Sequence, residues 1–219
     1  MSRVFEVDPS RPDGAMEALA AAEAALEAGD LVAFPTDTVY GLGCRPDDPA
    51  ATGRLFAAKR RPAGLTLPVL VASADQAFDL VVPDERAVRL AQAFWPGPLT
   101  VVLPRGILSQ TWQLGDAAQS IGVRVPNHPL ALALLQRTGP LAVTSANISG
   151  HEPIGEGGLL QQVFGDMVAV YLVASEGSGP ARPSTVVDLT GRELVVHREG
   201  PIAPGAILVA AGQLGGMAS

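Results

Sequence analysis

The chain has 219 residues, 47% hydrophobic and 17% charged, enough apolar content for a sizeable core and too much for wholesale disorder. A net charge of −7 argues against a general nucleic-acid binder, whose affinity rests on neutralising phosphates, but leaves room for a local basic pocket. No apolar run reaches membrane-span length, no hydrophobic signal core is read at the N-terminus, and Cys44 is the only cysteine. An internal disulfide is thereby excluded and a reducing, cytoplasmic setting is expected. His128, His151 and His197 are scattered without metal-ligand spacing to Cys44, so a protein-held zinc site is not expected.

Helix-like and strand-like segments alternate with Pro/Gly punctuation and no internal repeat. This predicts one α/β domain over residues 1–207 and a flexible Gly/Ala-rich tail over 208–219. Alanine-rich 14–28 predicts a helix capped by Asp13 and stopped by Gly29. LVAF (31–34) reads as a short buried strand, and FPTDTVYGLG (34–43) as the loop leaving it, where α/β proteins tend to bind ligands. Thr36 and Thr38, two apart, would point the same way in an extended chain. The same stretch also reads as an ordinary turn with hydroxyls bonded to backbone. Gly41 and Gly43 do not form a phosphate loop, because G-x-x-x-x-G-K-[ST] is absent.

Asp48 and Pro49 form an N-cap and first-turn pair opening a helix toward Lys59, the only lysine in the chain. Pro62 disfavours helical geometry at Arg61, so this helix should end at Lys59 or Arg60. Two readings of LFAAKRRPAG (55–64) stay open. The cations complement the helix macrodipole by about 0.3–1 kcal/mol, or Lys59 and Arg61 project past the helix end as a fork for polyphosphate.

LPVLVA (67–72) reads as a strand covered on both faces, followed by helices near 74–80 and 84–94 and by a turn and strand in WPGPLTVVLP. Alternation in SIGVRVP (120–126) sets Ile121, Val123 and Val125 on one face and Ser120, Gly122 and Arg124 on the other. The glycine leaves room for a ligand there, although a solvent-facing strand has the same pattern. LAVTSANISG (141–150) is an apolar strand running into Ser145, Asn147 and Ser149, residues that also form plain turns. In RPSTVVDLTGRELVVHREG (182–200), Ser184 opens one strand and Arg198 closes the next. Strands near 168–173, 185–189 and 193–198, with helices near 128–137 and 156–164, complete a mixed sheet. Five strand ends bearing hydroxyls or arginines can then converge on one pocket.

PTDTVYGLG, KRRP, VRVPNHP, TSANISG and PSTVVD, in this order, resemble the YrdC-like family of L-threonylcarbamoyladenylate synthases, in its single-domain form. The resemblance implies a twisted, mostly mixed sheet flanked by helices around a concave basic pocket. It also implies a nucleotidyltransferase that makes threonylcarbamoyl-AMP and pyrophosphate from ATP, L-threonine and bicarbonate, for N6-threonylcarbamoyladenosine in tRNA. Position by position, Thr38, Arg124, Ser145 and Ser184 match the threonine-binding positions. Lys59, Arg61, Ser120, Asn147 and Arg198 match positions at ATP, with Lys59 and Arg61 catalytic by neutralising phosphate oxygens as negative charge grows on the leaving pyrophosphate. Mg2+ is expected to arrive on ATP, held by phosphates and water. Downstream tRNA threonylcarbamoyl-transfer proteins are the implied partners, with neither stable nucleic-acid binding by the chain alone nor membrane attachment. Leu65, Leu70 and Gly155 depart from the polar residue, histidine and threonine that relatives carry there. Two other readings are a double-stranded RNA or tRNA-binding module in the same concavity and a carbamoyltransferase-type YrdC-like domain. The acidic balance counts against the first, and the lack of zinc-finger cysteines and an acylphosphatase segment against the second.

Overall fold

The computed structural model describes residues 1–8, 15–60, 64–116, 119–154, 156–175 and 182–212. Strand β1 (Arg3–Val7) precedes helix α1 (Met16–Glu27), which stops as predicted at Gly29, where φ is +79°. The proposed cap Asp13 lies outside the described residues. Strands β2 (Val32–Phe34) and β3 (Gly41–Cys44) pair antiparallel across the Thr36–Tyr40 turn. Asp48 caps α2 (Pro49–Lys59), its Oδ1 accepting from the amides of Ala50 at 2.8 Å and Ala51 at 3.2 Å, and the helix ends at Arg60 with φ +52°. Then come β4 (Val69–Leu70), α3 (Ala74–Leu80), α4 (Glu85–Phe94), β5 (Leu99–Pro104), β6 (Ser120–Arg124), α5 (Pro129–Thr138) and β7 (Leu141–Ser145). The described chain closes with α6 (Gly157–Phe164), β8 (Val170–Ala174), β9 (Thr185–Asp188), β10 (Val195–Arg198) and α7 (Pro204–Ala210).

The strands form one mixed sheet in the order β1-β8-β2-β3-β7-β4-β6-β5-β9-β10. Successive side chains of a strand point to opposite faces, and the two faces have different fates. On one face, Val32, Phe34, Leu141, Val143, Val170 and Leu172 pack under α1 and α5. On the other, Leu31, Ala33, Leu42, Val69, Val101, Val123 and Val187 pack with residues of α2, α3, α4, α6 and α7. The cluster under α1 and α5 extends along this face as far as Val143 of β7 and Leu70 of β4. Beyond it, β6, β5 and β9 carry the cavity-lining residues, and that opening positions the site.

The structure corrects three sequence readings. Residues 41–44 are a strand, although glycine is depleted in strands. A Cβ on Gly41 would lie 2.8 Å from Val143 Cγ1, and one on Gly43 2.9 Å from the Phe34 ring, so glycine lets β3 lie beneath those two side chains. Strand β4 is only two residues long within the apolar 67–72 run. The tail boundary at 208 falls inside α7, whose Ile207 and the following Ala211 are buried; residues 213–219 lie outside the described set.

Candidate active site

The open half of the sheet floors a cavity of about 460 Å³. Its floor is laid out in rows across the strands. Gly122, Val102 and Asp188 are in register on β6, β5 and β9. One repeat further along, Thr100, Val186 and Arg198 are in register, with Arg124 two residues beyond Gly122 on the same face. The predicted alternation of Ser120, Gly122 and Arg124 therefore holds, and all three line the cavity. The β9–β10 pairing shifts between Val196 and Arg198. A bulge of this kind re-aims side chains, and here His197 and Arg198, neighbours in sequence, both reach the cavity wall.

Arg124 is the buried cation of the site. Its Nε donates to the Gly97 carbonyl at 3.0 Å, Nη1 to Thr38 Oγ1 at 2.9 Å and Nη2 to Asp37 Oδ1 at 2.5 Å. Thr36 Oγ1 gives its proton to the Val39 carbonyl at 2.6 Å, so Thr38, 3.1 Å away, donates to Thr36. The turn reading of this loop holds, since Thr36 bonds to backbone at Val39, and the Thr36 and Thr38 hydroxyls face each other across 3.1 Å. A guanidinium has five N–H donors, and these contacts leave one on each Nη. Burial pulls Arg124 below the ordinary guanidinium range; Asp37 opposes this and the nearby charge of Arg198 adds to it. Arg198 donates through Nε to the Ser184 carbonyl at 2.9 Å and through Nη2 to Ser184 Oγ at 3.0 Å, which itself lies 2.8 Å from Thr100 Oγ1.

Lys59 differs from the projecting fork that the sequence allows. It ends α2 as expected, yet it is 1% exposed and does not line the cavity. Its ammonium turns inward, donating to the Ser145 carbonyl, to the Asn147 carbonyl at 2.6 Å and to Asn147 Oδ1 at 3.2 Å. Asn147 Oδ1 also accepts from Ser145 Oγ at 2.5 Å, and Nδ2 donates to the carbonyls of Ile148 and His151. Lys59 and Asn147 thus form the layer behind the wall, with Ser145 in the wall itself. Arg61 and Gly155 lie outside the described residues. Leu70 lines the cavity, whereas Leu65 is exposed away from it.

Sequence reasoning missed Asp37, Thr100, Asp188 and His197. For Thr100 a signal existed, since it is the one polar residue in LTVVLP and alternation places it beside Val102 on the floor. Asp188 accepts from the Thr190 amide at 2.7 Å, the Thr190 hydroxyl at 2.6 Å and His197 Nε2 at 2.9 Å. Burial pushes its carboxyl up, but these hydrogen bonds win and hold it below the usual range. Among the described residues, two guanidiniums and one carboxylate line the cavity, with hydroxyls of Thr38, Thr66, Thr100, Ser120, Ser145 and Ser184 between them. A small carboxylated or phosphorylated molecule with further polar groups suits that lining.

A family model for Sua5, YciO and YrdC proteins, described as telomere recombination, matches residues 24–200. The chain belongs to the Sua5/YciO/YrdC family. A Mycobacterium tuberculosis relative, provisionally named a threonylcarbamoyl-AMP synthase, is 42% identical over 198 residues covering 90% of each chain. The threonylcarbamoyl-AMP synthase of Vibrio parahaemolyticus is 36% identical over 75% of this chain and 90% of its own. The crystal structure of Pyrococcus abyssi Sua5 complexed with L-threonine superposes with a TM-score of 0.80 at 31% identity, covering 97% of this chain and 61% of that one. This member of the Sua5/YciO/YrdC family therefore spans about three-fifths of that archaeal protein. No helix among the described residues is long and apolar enough to cross a membrane.

Proposed function

We propose that this protein is an L-threonylcarbamoyl-AMP synthase. The observation that carries the reading is Arg124, a buried guanidinium with one N–H left on each Nη, in a cavity shared with Thr38, Ser145, Ser184 and Arg198. A planar fork of this kind matches the two oxygens of an α-carboxylate. The family relatives that carry the synthase name, and the L-threonine complex of Sua5, support threonine as the amino acid.

In this reading the threonine amine, in its neutral form, adds to bicarbonate and releases water to give a carbamate. A carbamate oxygen then bonds to the α-phosphorus of ATP as the bond to the pyrophosphate oxygen breaks. The carbamate is short-lived in water, so a cavity that holds it beside ATP supplies much of the rate through proximity. No covalent enzyme intermediate is required. Arg124 holds the carboxylate, Thr38, Ser145 and Ser184 orient the amino acid, and Ser120 and Arg198 hold the nucleotide. Lys59 acts by fixing the Ser145–Asn147 turn from behind. Arg61 remains a candidate phosphate contact. Magnesium enters with the triphosphate as part of the substrate, coordinated by phosphate oxygens and water. The product would pass to proteins that transfer the threonylcarbamoyl group to tRNA.

The test is pyrophosphate release together with detection of the adenylate by mass spectrometry. Release should require ATP, L-threonine, bicarbonate and a divalent ion together. Equal release without threonine would mean an ordinary ATPase and sink the reading.

A further inference from the structure

Asp188 is the only carboxylate among the described residues lining the cavity, and neither the threonine site nor the phosphate contacts use it. It stands in register with Val102 and Gly122, one repeat, about 7 Å, from the row that contains Arg198 and lies beside Arg124. An ionised carboxylate has about four acceptor positions. Among the described residues three are filled, two by Thr190 on Oδ1 and one by His197 on Oδ2. One acceptor position is left on a side chain that is 21% exposed, held by partners on both oxygens. The bulge in β10 that brings His197 beside Arg198 is what supplies the second partner.

The chemistry of the neighbours decides what that acceptor can receive. A phosphate oxygen would be repelled by it. The threonine amine is excluded because a carboxylate would hold it as ammonium, the form that cannot add to bicarbonate. Magnesium, in this reading, is held by phosphate oxygens and water, which leaves a neutral donor at the nucleotide end. Vicinal sugar hydroxyls suit a fixed carboxylate, as they do in other nucleotide sites. We propose that Asp188, fixed by His197 and Thr190, receives a ribose hydroxyl of the nucleotide and so makes the cavity selective for ribonucleotides. Asp188 is then a specificity-determining residue and His197 a positioning residue. The inference rests on the synthase reading, through its placement of ATP beside Ser120 and Arg198.

The experiment measures equilibrium binding of ATP, 2′-deoxy-ATP, 3′-deoxy-ATP and inosine triphosphate to the full chain, wild type and Asp188→Asn. Asparagine keeps an oxygen for Thr190, and L-threonine binding serves as the folding control. One hydrogen bond to a charged acceptor corresponds to about 10- to 100-fold in affinity. Wild type should therefore disfavour one of the two deoxynucleotides by that factor, and Asp188→Asn should narrow the ratio to below about threefold. His197→Ala should narrow it in the same direction. A merely structural role would weaken all four nucleotides alike and leave the ratio untouched, which overturns the proposal. So does discrimination against inosine triphosphate with none against the deoxynucleotides, since the donor would then be the purine amino group. Wild-type protein that binds L-threonine but no ATP overturns the synthase reading itself.

Discussion

Lys59 and Asn147 lie 88 positions apart in the chain, and the ammonium of one sits 2.6 Å from the carbonyl oxygen and 3.2 Å from the side-chain oxygen of the other. With the Ser145 carbonyl as a third acceptor, the three converge on one point. A tetrahedral ammonium can turn its three donors to such a point, whereas a planar guanidinium spreads five donors along a fork. That is a physical reason for a lone lysine in a chain whose other basic residues are arginines. The Ser149 amide also bonds the Lys59 carbonyl at 2.9 Å, so the end of α2 grips the turn after β7 from both main chain and side chain.

Burial changes what Lys59→Ala should do. A cation serving only the helix dipole would cost less than about 1 kcal/mol on removal. Leaving buried carbonyls without their donor should cost about 2–4 kcal/mol. Turnover should also fall about 10²-fold, because the turn carrying Ser145 loses its position. Lys59→Arg should recover charge but only part of the stability. Urea denaturation and pyrophosphate release on the same samples check this. A stability loss below about 1 kcal/mol with turnover abolished would show that the ammonium acts on phosphate and not as a staple.

Arg124→Lys should raise the L-threonine dissociation constant about 10- to 100-fold while changing ATP binding little. An ammonium cannot serve Gly97, Thr38 and Asp37 together and still present two parallel donors to a carboxylate. Titration calorimetry with each substrate measures it. Unchanged threonine affinity would remove Arg124 from the amino-acid site.

Most of the fold was legible because its elements carry local signals. The Asp48-Pro49 pair does open α2, with the Asp48 side chain as its cap, and alternation in SIGVRV sets the correct faces of β6. Strand β3 was not legible, because GLGC owes its conformation to Phe34 and Val143 packing above it, contacts that no local pattern encodes. The site divides in the same way. Strand-borne Ser120 and Arg124 could be placed from period alone. His197 could not, since its orientation depends on a pairing shift between β9 and β10. The inward turn of Lys59 was equally hidden, because a helix-terminal cation reads alike whether it meets solvent, ligand or a distant carbonyl.

Acid should destabilise the protein below about pH 4. Burial pushes Asp84 up, but Arg86 and the Ala87 amide hold it net below its ordinary value; Asp188 is depressed by Thr190 and His197. The ordinary value, about 3.9, stands for the unfolded chain. Carboxyls depressed in the fold add stability that is fully present above that value and is lost as pH falls through the folded value. Between about pH 5 and pH 3 urea midpoints should drop, with a smaller drop in Asp84→Asn. Asp84 is 43% exposed, so its own share should stay below about 1 kcal/mol. Equal drops in the variant and wild type would remove Asp84 from this account.

Cys44 should be inert in the native protein. It is fully buried, and burial, reinforced by Asp48, pushes its thiol up to about 12. Alkylation by iodoacetamide at pH 8 should be absent in buffer and complete in denaturant, since the thiolate is the reacting form. Rapid native labelling would show that β3 opens readily and that its glycine-dependent packing is loose.

The last prediction concerns which amino acid is accepted. Threonine and serine differ by one methyl group, and a pocket distinguishes a buried methyl by about 1–3 kcal/mol, or roughly 10–200-fold. The hydroxyls of Thr38, Ser145 and Ser184 give that methyl little apolar contact, but Leu70 and Val143 line the same cavity. Leu70 is in register with Arg124, and Val143 lies two residues from Ser145 on the same face. Leu70 therefore adds apolar surface where the side chain of a bound amino acid would rest. Serine should be a poor but measurable substrate, rejected within that range. Leu70→His should reduce the preference for threonine over serine and leave ATP affinity unchanged. Valine, nearly isosteric but lacking the hydroxyl, should fare worse than serine, because a buried polar partner is left unpaired. Adenylate formation with each amino acid at equal, subsaturating concentration decides the matter. Valine matching threonine would show that the hydroxyl is not read, and that these serines do not surround it.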